Sequence, residues 1–397
     1  MGMVEDEGGM MSNRPASIEI RPDRDLRIDF FRGLALIGIT INHTVPPKTL
    51  MATVGHYQFG HVFGFAWAEV FVLLSGIVCG MAYLRPFQTG GVVAASEKVL
   101  KRIFTIWLTA MGALLLMWCV LGAMQVMLPK YNVEFLTFDY RSLWPDTWAK
   151  RRSVVINTLL LSPPYLHFNI LRFYVVLLLM LPAGLALYVR FRYMALATSA
   201  LVWAWINVTT GPFGPQLRLH GLGNFFPALD PSFGDGPFGN YLAWQFLFFL
   251  GMAIGVERKR GTLRVPMNAT VAVLLGAALA LADALRQLKF AYFHFDSKVY
   301  LGPLRLVELL SAVTLIAWMV PANAAFFTKG LAGVIRRLGT RSLTIFAFTL
   351  FSCYLFTHIA AIVKATAPVY LAILIAHVTA VLLVSAGLDA VQKKRTT

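Results

Sequence analysis

The chain has 397 residues, 58% hydrophobic and only 14% charged; soluble domains carry about 25% charged residues, so a water-facing globule is excluded as its main body. The formal net charge is +16, but the basic residues sit in short segments between apolar runs, which reads as membrane topology rather than as a nucleic-acid surface. Cys79, Cys119 and Cys353 all fall inside apolar runs without metal-ligand spacing, so neither a disulfide framework nor a metal site is expected.

Residues 1–26 are polar, mixed in charge and without the apolar core of a signal peptide; a disordered cytoplasmic tail is expected there. A spanning helix needs about 20 mainly apolar residues. Ten stretches qualify in chain order: 28–45, 62–84, 103–127, 170–189, 194–210, 240–256, 265–285, 301–321, 342–363 and 369–391. They make 27–392 one transmembrane domain, followed by a basic cytoplasmic end at 393–397. The expected fold class is therefore all-α: a polytopic integral membrane bundle of about ten transmembrane helices. With both termini cytoplasmic, the basic groups within 14–32, 85–102, 190–192, 258–264, 329–341 and 393–395 all fall on the inner side. Two long segments, 128–169 and 211–239, then lie outside, and both are rich in aromatic residues. Such loops suit stacking on sugar rings, and they also suit an interfacial belt of Trp and Tyr.

The most informative string is the first helix, RIDFFRGLALIGITINH. Arg32 and His43 are eleven residues apart, which at about 100° per residue is three turns plus roughly 20°. Both side chains therefore share one face, separated by roughly 16 Å along the axis. Arginine at a helix centre costs roughly 2.5–3.5 kcal/mol on insertion scales, so its presence there suggests a function; near an end it also serves as a topology anchor. Asp29 precedes Arg32 by three residues and can hold its guanidinium. The second helix carries Glu69, an intramembrane carboxylate that can orient His43 or form a structural pair with a histidine or an arginine. Ser75, Gly76 and Gly80 on the same helix suit close helix packing.

The strings RDLRIDFFRGLALIGITINH and FGFAWAEVFVLLSG resemble the OpgC family, and so do LRFYVVLLLMLP, AWQFLFFLG and GTRSLTIFAF further along. That family comprises membrane proteins implicated in adding succinyl groups to osmoregulated periplasmic glucans, and is related to a wider class of membrane glycan O-acyltransferases. The resemblance implies a bacterial inner-membrane, multi-pass enzyme. It would take acyl-CoA, succinyl-CoA above all, as donor co-substrate and a glycan outside the cytoplasm as acceptor. It also implies His43 as the catalytic base and matches its arginine to Arg32. Glu69, read above as able to orient His43, completes the expected catalytic set, and direct transfer and a transient acyl-histidine both stay open. CoA phosphates need cations, and Arg32, Lys101, Arg102, Arg336, Arg337 and Arg341 lie on the expected inner side. Asp29, Arg172 and Arg305 complete the expected substrate-binding set, the two arginines serving a free acyl carboxylate outside or mid-membrane. Membrane lipids are expected partners, nucleic acid is not, and a homo-oligomer is compatible with the sequence. The rival function is a transporter or exporter of an organic anion or a glycan, because intramembrane Arg, Glu and His also serve translocation.

Overall fold

Asp25 starts the first helix by accepting the Arg27 N–H at 3.0 Å, a side-chain cap on one of the helix's unpaired donors. The computed structural model describes residues 25–46, 64–127, 148–161, 169–209, 241–263, 267–288 and 297–396. Its helices are α1 (Leu26–His43), α2 (Trp67–Met127), α3 (Trp148–Leu159), α4 (Asn169–Phe191), α5 (Tyr193–Thr209), α6 (Tyr241–Arg260) and α7 (Ala269–Gln287). There follow α8 (Pro303–Met319), a 3-10 turn (Ala325–Thr328), α9 (Gly330–Thr340), α10 (Ser342–Ile362) and α11 (Ala367–Thr396). There is no strand among the described residues, so the all-helical class holds. Each of the ten apolar stretches falls on a helix.

Five of these helices are long and apolar enough to cross a membrane: Trp67–Met124, Ile170–Phe191, Ala269–Gln287, Ser342–Ile362 and Ala367–Gln392. The others are shorter or more polar; α1 carries Arg27, Asp29 and Arg32, and α6 ends in Glu257, Arg258, Lys259 and Arg260. α2 supplies the second and third expected stretches as two arms. Its backbone breaks at Gly90 and Gly91, and Gly91 has φ +65°, a conformation glycine adopts without penalty. Across the break Lys98 Nζ donates to the Ala82 carbonyl at 2.8 Å, which turns the second arm back beside the first. Of the expected tail, residues 1–24 lie outside the described residues. Asp25 and Leu26 are buried and belong to the start of α1.

The most extensive packing joins α2 to α6. Gly76 and Gly80 on α2 face Gly251 and Gly255 on α6, two small-xxx-small pairs that let the backbones touch. A Cβ on Gly251 would lie 2.3 Å from the Leu73 carbonyl oxygen, whereas a Cβ on Gly112 would meet nothing within 4 Å. Gly251→Ala is therefore expected to destabilise the protein by roughly 1–3 kcal/mol through overpacking. Gly112→Ala should leave it unchanged or slightly improved, since alanine favours helix. Thermal melts of the two purified variants check this, and equal melting temperatures would refute the close crossing.

α1 is clasped on its first half by α9 through another close approach, where a Cβ on Gly33 would lie 1.9 Å from the Ile335 carbonyl oxygen. The starts and ends of several helices then meet in ion pairs. Asp25 binds Arg27 at 2.9 Å and Arg258 at 2.8 Å, and Arg27 Nη1 reaches the Val320 carbonyl at 2.9 Å. Beside them Glu257 accepts from Tyr188 and Arg192 at 3.0 Å each, and from Thr262. Burial pushes the Glu257 carboxyl up, but these hydrogen bonds outweigh it and hold its pKa below the usual glutamate value. At the end of the bundle where α1 begins, several basic groups are thus tied to two carboxylates, Asp25 and Glu257.

Candidate functional site

α1 places Arg32 one to two turns inside its start, facing α2, α4 and α10. Its Nη2 donates to Ser342 Oγ at 2.5 Å, and its guanidinium carbon lies 5.7 Å from the centre of the Phe71 ring. Its Nε is buried with no hydrogen-bond partner among the described residues. Arg32 makes no ion pair there either, which is costly for a cation inside a helical bundle. Asp29 is buried one turn below.

Arg32 lines a narrow cleft with a cavity volume of about 30 Å³. Arg102, from the second arm of α2, lines it too, because the Gly90–Gly91 turn folds that arm back. The remaining wall is mostly apolar and aromatic, with Phe71, Phe173, Tyr174 and Phe346, and with Ser342 at the Arg32 side. Phe71 and Phe346 stack at 5.9 Å, and the Tyr174 hydroxyl lies 3.8 Å from Cys79 Sγ. Two arginines in a narrow apolar, aromatic-walled cleft offer charge-assisted hydrogen bonds to an anionic group.

The other cations expected at the donor are elsewhere. Lys101 is exposed beside Arg102 on α2. Arg336 is buried with its Nε donating to the Phe327 carbonyl at 3.0 Å. Arg337 and Arg341 share Asp389 on α11, at 3.3 and 2.8 Å, and Arg341 also reaches Gln392. None of these four lines the Arg32 cleft.

Glu69 is completely buried in the first turn of α2. Its Oε1 accepts Arg305 Nε at 2.7 Å and its Oε2 accepts the Ala66 N–H at 2.6 Å. The structure therefore joins two residues that the sequence assigns to different tasks. One turn further along α8 lies Glu308, also buried, with Arg286 Nε of α7 at 3.7 Å. Glu308 is packed so tightly under Gly64 that a Cβ there would lie 1.5 Å from its Oε2. Arg172, near the start of α4, donates from Nε to the Tyr241 hydroxyl at 2.9 Å.

His43 is the last residue of α1 and is half-buried. Beyond it, Thr44 is buried and hydrogen-bonded to His377 of α11 at 2.8 Å, and His377 in turn to Ser352 of α10 at 2.6 Å. Sequence reasoning passed over Ser342, Tyr174, Glu308, Ser352 and His377. A signal existed for two of them: Glu308 and His377 are ionisable residues inside apolar runs, which mark function or a buried partner by default. The long outer segments expected to meet the acceptor lie almost wholly outside the described residues, apart from α3.

The family model described as OpgC protein matches residues 24–393, nearly the whole chain. No curated protein and no solved structure matches it.

Proposed function

The chain belongs to the OpgC protein family, and from that premise we propose that it is a membrane-embedded acyltransferase. In this reading it moves an acyl group, succinyl first among the candidates, from cytoplasmic acyl-CoA to a hydroxyl of a glycan outside the bacterial inner membrane. The observation that carries the reading is Arg32: a half-buried cation without an ion pair among the described residues, set in an aromatic cleft on the helix that ends in His43. The rise of α1 separates the two by roughly 16 Å. A long, slim thioester arm can bridge that span, held by Arg32 and Arg102 at one end and presenting its carbonyl to His43 at the other.

The chemistry then balances. The imidazole of His43 removes the proton of the sugar hydroxyl as its oxygen attacks the thioester carbon. The new C–O bond forms, the C–S bond breaks, and the departing thiolate takes the proton back from the imidazolium. If the acyl group bears a second carboxylate, Arg172 and Arg305 are the cations proposed to receive it. Arg305 would have to exchange Glu69 for that carboxylate.

The test is direct. Purified protein, labelled acyl-CoA and a soluble oligosaccharide should yield an O-ester visible by mass spectrometry. A transporter would instead give counterflow in liposomes and no ester. The buried pairs Glu69–Arg305 and Glu308–Arg286 keep that second reading alive, because charges inside a bundle also line translocation paths.

Arg32→Lys separates the donor end from the acceptor end. Lysine keeps the charge but loses the planar fork that meets Ser342 and faces Phe71. The apparent affinity for acyl-CoA is expected to fall by about tenfold, equivalent to roughly 1.4 kcal/mol, with acceptor affinity unchanged. An unchanged donor affinity with a weakened acceptor would move Arg32 to the other substrate.

A further inference from the structure

The chain leaves α1 at His43 and is pinned within the next two residues by side chains from α10 and α11. Thr44 is the C-cap, with extended φ −84° and ψ 93°. Its N–H donates to the Thr40 carbonyl at 3.1 Å, and its hydroxyl lies 2.8 Å from the same oxygen. Its own carbonyl accepts from the Tyr370 hydroxyl at 2.5 Å, and the Val45 N–H donates to Thr357 Oγ1 at 3.0 Å. Helix ends ordinarily fray, because their last carbonyls lack partners. This one is held by side chains from two neighbouring helices, α10 and α11.

At the centre of the clasp is His377, fully buried among apolar helices. A buried imidazole needs a partner for each nitrogen, and here both partners are hydroxyls: Thr44 Oγ1 at Nδ1 and Ser352 Oγ at Nε2. Each hydroxyl also has a carbonyl within reach, Thr40 for Thr44 at 2.8 Å and Thr349 for Ser352 at 3.3 Å. In either tautomer one hydroxyl accepts from the ring N–H and passes its own proton to its carbonyl, while the other donates to the bare ring nitrogen. The Phe356 ring lies parallel to the imidazole with centroids 4.3 Å apart and fixes its plane. Ring plane and both hydrogen bonds are thereby set, so the position of Thr44 is held to hydrogen-bond tolerance.

We propose that His377 is a positioning residue for the reaction: through Thr44 it holds the end of α1 so that His43 stands at the reacting hydroxyl and thioester. The role rests on the reading of His43 as general base. A base displaced by about 1 Å loses up to ~10²-fold in rate, and a helix terminus holds that tolerance only if its support is itself fixed.

The experiment uses the full-length protein with labelled acyl-CoA and a soluble oligosaccharide. Donor-binding sites are counted by bound acyl-CoA, so that kcat is expressed per intact site. His377→Leu fills the volume without either hydrogen bond, and Thr44→Val removes only the hydroxyl. Both are expected to lower kcat per site by about tenfold or more, with KM for the donor within about twofold. His377→Asn keeps an amide, both donor and acceptor, near the former Nδ1 and should retain kcat within about threefold. A normal kcat per site in His377→Leu overturns the proposal. So does a loss that only tracks missing donor sites, since that marks a packing role, or an Asn variant no better than Leu. A wild-type protein that makes no ester overturns the acyltransferase reading and this role together. Ester formation by wild type with an unimpaired His377→Leu overturns this role alone.

Discussion

His43→Ala is expected to lose acyl transfer by ~10²–10⁴-fold, the range a positioned general base contributes. The protein should still insert, purify and bind acyl-CoA, for two reasons. His43 is the terminal residue of α1, beyond the turns that pack against α9 and α2. The clasp on the chain beyond it runs through Thr44 and Val45, not through the imidazole of residue 43. In the proposed reading donor affinity belongs to the Arg32 cleft, roughly three turns away. The loss should therefore appear in kcat, with the apparent affinity for acyl-CoA close to wild type. Activity within about tenfold of wild type would remove His43 from the chemistry. Activity lost together with donor binding would mean that the substitution damaged the fold.

How far the site could be read from sequence depended on whether its parts were local. Arg32 and His43 share a helix, and helical geometry alone placed them on one face. Arg102 converges on Arg32 only because Gly90 and Gly91 reverse α2, and no periodicity marks that turn. Glu69 and Arg305 are 236 residues apart in the chain, so each was visible as an intramembrane charge while their pairing was not. The same limit applies to the inner-side cations. A positive-inside pattern counts Arg337 and Arg341 as available, but the structure returns both to Asp389 of α11. The helices themselves were legible from apolar run length. α9 was not, because eleven residues including two arginines carry no spanning signal. Its buried face is instead specified by α1, where Gly33 and Gly339 let the two backbones meet.

The pairing of Glu69 with Arg305 leads to a second large effect. Taking two charges out of water is costly, and their mutual attraction offsets that cost only while both are present. Glu69 is completely buried and Arg305 nearly so, so removing either leaves the other stranded. Glu69→Gln and Arg305→Met are each expected to destabilise the protein by roughly 3–5 kcal/mol. Arg305 Nε and the Ala66 N–H bind different carboxylate oxygens, and glutamine would replace one of these with an NH2 that faces a donor. The double variant Glu69→Gln/Arg305→Met buries no unpaired charge and should recover much of that loss, a coupling that a double-mutant cycle of denaturation midpoints measures directly. Additive single effects would show that the pair does not hold the fold. Activity of the recovered double variant then shows whether the pair does more than hold the fold, through Glu69 at His43 or through Arg305 at an acyl carboxylate. If Glu69 also orients His43, as its place in the proposed catalytic set requires, stability returns while kcat stays depressed by tenfold or more, within the range expected when a base loses its support. If stability and kcat return together, Glu69 and Arg305 form a structural strut between α2 and α8, and the carboxylate leaves the catalytic set.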